Sequence, residues 1–277
     1  MSIVVGIDIG GSTTKIVGLE NGRIKAPMLV RATDQVTSLF GAFGRFVSEN
    51  ALRLESIDRV MVTGVGASYL KSSVYGLKTS KVDEFLANGL GGLHLSGLKT
   101  AVIVSMGTGT AMVRASGGNI RYLGGTGVGG GTLMGLSQRI LNVRDIRTVI
   151  DMAKRGRLTN VDLLVGDLTA DRLSELSPEL TAANLGRIND ATMPEDLALG
   201  IINLVFQAIG MVAVFAARSE DTRDIVLIGN LTTVPQAREI FDALSELFGI
   251  RFIIPPNSEF STAVGAALAA TAVTELI

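Results

Sequence analysis

Two well-separated stretches of this chain follow one plan: an apolar strand, a turn rich in Gly and Thr or Ser, a strand hairpin, then helices. The first passes through Ile3-Val4-Val5-Gly6-Ile7-Asp8-Ile9 into Gly10-Gly11-Ser12-Thr13-Thr14-Lys15. The second passes from Thr100 to Met106 into Gly107-Thr108-Gly109-Thr110. Short apolar strands alternating with helical patterns confine the chain to the α/β class. The repetition, which is one of pattern and not of sequence, predicts two related units with a ligand cleft between them. We place them at 1–98 and 99–277; no Pro/Ser-rich linker separates them, so they should pack closely.

The finer pattern fills in these units. Residues 15–19 and 23–25 flank Asn21-Gly22, a dipeptide suited to a tight hairpin. Leu39, Phe40, Phe43, Phe46 and Val47 recur at helical spacing. A strand at 59–65 and a helix at 81–95 complete the first unit. In the second, a hairpin turns at Ser116-Gly117-Gly118 and a glycine-dense run spans Gly124 to Thr132. Helices are expected at 132–141, 145–155, 197–219 and 235–248, strands at 224–229 and 250–254, and an Ala-rich closing helix at 261–277.

The chain has no Cys, which excludes disulfides, thiolate metal sites and Cys-ligated clusters. Its formal net charge of -1 offers nothing to a polyanion, so neither nucleic acid nor a membrane surface is expected as a partner. His94 stands alone and lacks the companions of a metal site or triad. Residues 198–217 carry no charge and are long enough to cross a bilayer. They include Asn203 and Gln207 and run straight into Arg218, Glu220, Asp221 and Arg223, so they read as a buried helix. The N-terminus has no basic stretch or cleavage pattern. We expect a cytoplasmic enzyme.

The strand ending in Asp8 delivers a carboxylate to a turn whose glycines let N–H groups face phosphate oxygens. Ser12, Thr13 and Thr14 add hydroxyls and Lys15 a positive charge. Like charges repel, so the chemistry open to Asp8 is to hold Mg²⁺. Gly107-Thr108-Gly109-Thr110 has the same character. Gly129-Gly130-Gly131 precedes a helix, whose N-terminus favours anions. A P-loop and a dinucleotide fingerprint are both absent. Asp224 to Asn230 is a strand tipped by Gly229. The small residues of Phe260-Ser261-Thr262-Ala263-Val264-Gly265-Ala266 allow close backbone approach, either around a flat purine or in ordinary helix packing.

Taken in order, these pieces resemble the actin-like kinase superfamily of sugar kinases and heat-shock ATPases. More narrowly they resemble the type II pantothenate kinases, over nearly the whole chain. Asp8, Ile9, Gly10, Gly11, Ser12, Thr13, Thr14 and Lys15 match that family's first phosphate motif, and Gly107, Thr108, Gly109 and Thr110 its second. Gly129, Gly130, Gly131, Thr132 and Leu133 match its ATP glycine loop, and Gly229 with Asn230 the adenosine end. Leu180-Thr181-Ala182-Ala183-Asn184-Leu185-Gly186 is the most discriminating stretch. The resemblance implies two ribonuclease H-like domains with an interdomain ATP cleft, ATP and Mg²⁺ as cofactors, pantothenate as substrate, and a homodimer supported by helix 198–217. It also implies that Glu84, in Val82-Asp83-Glu84-Phe85, is the general base, with Asp83 as the competing carboxylate. Thr108, Arg121, Tyr122 and Thr126 are the expected substrate contacts.

Two positions depart from the family. Ala111 stands where a hydroxyl is usual, and Tyr122 stands at the place of an Arg, with Arg121 one residue earlier. These departures keep other acceptors open, pantetheine or an N-acetylhexosamine. A non-catalytic nucleotide-binding regulator is a further alternative. An activator ATPase with a Cys-ligated cluster is excluded by the composition.

Overall fold

The computed structural model describes residues 3–31, 34–168, 177, 178 and 180–274. The first unit opens with strand β1 (Ile3–Ile9), β2 (Thr13–Glu20) and β3 (Arg23–Arg31), followed by helix α1 (Gln35–Glu49), β4 (Ile57–Thr63) and β5 (Thr79–Lys81). Between β2 and β3 the chain reverses on Asn21 and Gly22, whose φ values are 50° and 74°. That pair of positive values is what the Asn-Gly dipeptide supplies. Asp34 starts α1 by accepting a hydrogen bond from the Thr37 amide. Helix α2 (Glu84–Ser96) then leads to β6 (Thr100–Met106), β7 (Thr110–Ser116) and β8 (Asn119–Thr126).

After the glycine run come α3 (Gly130–Leu136), a π-helical turn over 137–141, and α4 (Ile146–Ala153). A small hairpin region follows, made of β9 (Leu163–Leu164), α5 (Val165–Leu168) and β10 (Thr181–Ala183). The chain closes with α6 (Pro194–Ser219), β11 (Asp224–Ile228), α7 (Gln236–Phe248), β12 (Arg251–Ile253) and α8 (Ser261–Thr274). The last three residues of the expected closing helix, 275–277, lie outside the described residues.

The two large sheets have the same topology. The first runs β3-β2-β1-β4-β5 and the second β8-β7-β6-β11-β12. In each, the first three strands pair antiparallel and the last two add in parallel. The repeated strand–turn–hairpin plan of the sequence is therefore one ribonuclease H-like fold used twice.

Each sheet buries one face against helices of its own half. On β1 the alternating residues Val5, Ile7 and Ile9 point to one side and pack with Leu39, Phe43 and Phe46 of α1. In the second half, Val102, Val104, Ile225 and Leu227 pack on Ile201, Val205, Phe206 and Ile209 of α6. Helix α6 is long and apolar enough to cross a membrane, yet here those side chains sit inside the second unit. The remaining faces are covered by exchange. Helix α2 lies on the second sheet, with Phe85 and Leu93 against Ile103, Val113 and Ile228. Helix α8 lies on the first, with Ala263 and Val264 against Val17 and with Ala266 and Ala269 near Met61.

These two helices cross each other at the seam between the halves, and the crossing is built on missing side chains. A Cβ at Gly265 would stand 1.8 Å from the Ala87 carbonyl oxygen, and one at Gly91 would stand 1.9 Å from that of Ser261. The sequence offered two readings of the small residues 260–266. The structure shows the packing one: the segment sits tightly against α2 and β1.

Candidate active site

The ends of β1, β2, β4, β6 and β11 and the starts of α2 and α8 surround a cavity of about 470 Å³ at the seam. Asp8 and Lys15 face each other across the β1–β2 ladder, and Lys15 Nζ reaches Asp8 Oδ2 at 3.5 Å. Both are nearly buried, at 7% and 5% exposure. Burial pushes the Asp8 carboxyl above its usual range, and the Lys15 ammonium partly offsets that. Gly64 makes room for this pair. Its φ is +87°, and a Cβ there would lie 2.5 Å from Asp8 Oδ1.

Glu84 is the first residue of α2 and lines the same cavity. Asp83 caps the helix instead, accepting from the Leu86 amide at 2.9 Å. The two neighbouring carboxylates thus have different work: one starts the helix, the other faces the cleft. Burial raises the pKa of Glu84, the negative charges of Asp8 and Asp83 raise it further, and Lys15 opposes them.

Gly10, Gly11, Ser12, Thr13, Gly107, Thr108, Gly109, Thr110, Thr126, Gly229 and Asn230 also line this cavity. The turns brace one another. Gly10 N–H donates to Thr13 O, Gly107 N–H to Gly109 O, Gly130 N–H to Gly107 O, and Gly131 N–H to Thr108 O. The amides of Gly11, Ser12, Thr108 and Gly109 have no backbone partner among the described residues, so these are the N–H groups open to an anion. The Gly129–Gly131 run therefore holds the second loop in place as much as it faces the cleft. The Asn230 amide donates to Thr13 Oγ1 at 3.2 Å, joining the two halves across the opening.

Several residues expected at the site lie elsewhere. Ile9 and Thr14 pair with each other in the ladder, one step beyond Asp8 and Lys15, and their side chains are buried away from the cavity. Strand alternation imposes this. Leu133 is fully buried in the core behind α3. The Thr132 hydroxyl is used within its own loop, donating to Gly127 O at 2.9 Å. Arg121 is held on the outer side by Glu220 at the end of α6, Nη2 to Oε2 at 2.6 Å. Tyr122 stacks on Phe85, centroids 4.3 Å apart, beside the cleft and not in its lining.

A second cavity of about 640 Å³ shares Ser12, Thr13, Gly107, Thr108 and Asn230 with the first. Its outer part is apolar: Leu29, Met134, Ile146, Ile150, Leu231 and Val234, with Arg31 and Arg147 at the edge and Gly130 and Gly131 between. Sequence reasoning missed these apolar residues because they come from β3, α3, α4 and the turn after β11, and share no local pattern. Gly64 and Val65 in the first cavity were likewise not singled out as site residues.

The arrangement is two connected compartments with anion-binding turns at their junction. One holds Asp8, Glu84 and Lys15; the other is largely apolar in its outer part. No group of three or more His, Asp or Glu side chains fit to hold a metal occurs among the described residues. Asp8 with a nearby Glu84 is too small a donor set for a resident ion. It fits an Mg²⁺ that arrives on a polyphosphate and keeps most of its own water.

The Fumble family profile matches residues 98–247. A type II pantothenate kinase of Staphylococcus aureus (strain USA300) is 29% identical over 273 residues, covering 95% of this chain and 97% of that protein. Among solved structures, the activator of the 2-hydroxyisocaproyl-CoA dehydratase from Clostridium difficile with bound ADPNP superposes with a TM-score of 0.71 at 18% identity, covering 99% of this chain and 98% of that one. A ROK family glucokinase from Streptomyces griseus in complex with glucose and AMPPNP gives 0.62 at 12% identity, covering 97% and 99%. At those identities the structural likenesses speak for the fold, which is the two-domain actin-like one. The profile match spans more than half the chain, and with it the chain belongs to the Fumble family.

Proposed function

We propose that the chain transfers the γ-phosphoryl group of ATP to the primary alcohol of pantothenate, giving 4′-phosphopantothenate, the first step of coenzyme A synthesis. The observation that carries this is the meeting of Glu84 with the Asp8–Lys15 pair in one cleft walled by glycine turns. The full-length similarity to a type II pantothenate kinase supports the choice of acceptor.

In this reading the phosphates rest on the amides of Gly11, Ser12, Thr108 and Gly109, and the adenosine occupies the apolar compartment. Lys15 neutralises charge on the transferring group. Asp8 holds Mg²⁺ with the triphosphate, and the ion supplies charge neutralisation there. Glu84 accepts the proton of the attacking hydroxyl. A carboxylate whose pKa is raised by burial and by like charge is a stronger base than an exposed one, which suits that role. Phe85 and Tyr122 stack beside the cleft. A homodimer belongs to the same proposal: Val212 and Phe215 stand 40% and 60% exposed on α6, an apolar surface a second copy would cover.

One pair of observations favours a second reading, a kinase for a different small alcohol. Ala111 lines the cavity without a hydroxyl, and Arg121 is engaged by Glu220. ADP release with pantothenate, pantetheine and N-acetylglucosamine as separate acceptors distinguishes the two. Turnover with pantothenate supports the first reading. Turnover with another alcohol alone replaces it. ATP binding with no turnover points to a non-catalytic regulator.

A further inference from the structure

Thr262, at the start of α8, lines the first cavity and is 5% exposed. Its Oγ1 lies 2.7 Å from Oδ1 of Asn88, which is 1% exposed on α2. A carboxamide oxygen only accepts, so the Thr262 hydroxyl donates its one hydrogen downward into the seam. A hydroxyl that donates there keeps its lone pairs as its remaining hydrogen-bonding capacity. The Asn88 Nδ2 is buried without a partner.

Thr110 shares this polarity, its hydroxyl donating to Val128 O, and Thr13 and Thr126 do not, their hydroxyls accepting from within the chain. Asn88 follows Glu84 by one helical turn on the same face of α2, about 5–6 Å along it. Thr262, bonded to Asn88, therefore lies about one turn below the Glu84 carboxylate. An alcohol whose reacting hydroxyl meets Glu84 must set a neighbouring group against Thr262.

We propose that Thr262, its hydroxyl polarity fixed by Asn88, is a specificity-determining contact that accepts a hydrogen bond from a second donor on the acceptor alcohol. The ligand class is a hydroxylated amide or polyol with a hydroxyl or amide N–H about 5 Å from the reacting oxygen. Simple alcohols leave the fixed lone pairs unpaired, and the site selects against them. Asn88 acts through Thr262 and is a positioning residue.

This rests on the phosphoryl-transfer reading above, and the experiment separates the two. Steady-state rates are measured for the wild type, Thr262→Val and Thr262→Ser, with pantothenate and with analogues lacking its secondary hydroxyl or its amide hydrogen. Affinity for a non-hydrolysable ATP analogue is measured by calorimetry. Thr262→Val is expected to raise the pantothenate KM roughly 10- to 100-fold, with kcat and nucleotide affinity little changed, and Thr262→Ser to restore it. With the analogue that lacks the paired donor, wild type and Thr262→Val should be alike. An unchanged KM in Thr262→Val, an equal penalty on every analogue, or joint loss of nucleotide binding overturns the proposal. If pantothenate is inert and another alcohol of the panel reacts, the acceptor assignment falls, and the same comparison on that alcohol decides the role of Thr262. An enzyme that turns over no alcohol overturns both.

Discussion

Asp8 and Lys15 were each legible because they are local, and the structure pairs them: a strand, a glycine turn and a returning strand bring them face to face. Glu84 was reached only through resemblance, since a carboxylate at a helix start is usually a solvated charge or a cap. The structure divides the labour, giving the cap to Asp83 and the cleft to Glu84. Arg121 against Tyr122 could not be resolved from spacing. The β7–β8 ladder slips between Met112 and Val113, pairing Met112 with Gly124 and Val113 with Tyr122, so Leu123 is passed over. A one-residue bulge reverses which face of the sheet a side chain takes, and no residue pattern announces it. Glu84→Gln is expected to lower turnover roughly 10²- to 10⁴-fold while ATP binding persists, as followed by ADP release and a nucleotide titration. In the proposed mechanism the ionised form of Glu84 is the base, and burial raises its pKa, so kcat/KM should climb with pH through a midpoint above the usual value for a glutamate and then level off. A pH profile already flat from about pH 5 upward would contradict this.

At the scale of elements, strands and helices followed periodicity closely, whereas what they pack against did not. The Ala-rich closing segment shows this. Its composition permitted a purine slot or a tight crossing, and only the three-dimensional position of α2 decides between them. Backbone carbonyls occupy the space that larger side chains would need. Gly265→Ala is therefore expected to cost about 1–3 kcal/mol, because the opposing Ala87 carbonyl belongs to a helix backbone and cannot swing aside. A shift of the urea midpoint with an unchanged slope measures it. Ala at Gly97 is a useful contrast. A Cβ there meets nothing, and only its φ of +70° opposes the change, so the cost is backbone strain alone.

For the whole molecule, the weak internal repeat was the most informative reading of all, since it anticipated two sheets of one topology. It could not anticipate that the halves trade covering helices. The apolar compartment stayed hidden for the same reason, being assembled from both halves. The exposed Val212 and Phe215 give a test at this scale. Phe215→Glu is expected to leave the fold intact, since the side chain is 60% exposed, and to shift the protein from dimer to monomer in light scattering.

The traded helices also bear on how the chain is made. Ribosomes deliver β1 well before α8, so during synthesis the first sheet waits with Val17 and Met61 bare on one face until α8 emerges. Translation at about 5–20 residues per second makes that wait tens of seconds at the slow end. A nascent first half is thus a natural client for holding chaperones, and a message truncated before Ser261 encodes a protein with a permanently uncovered sheet.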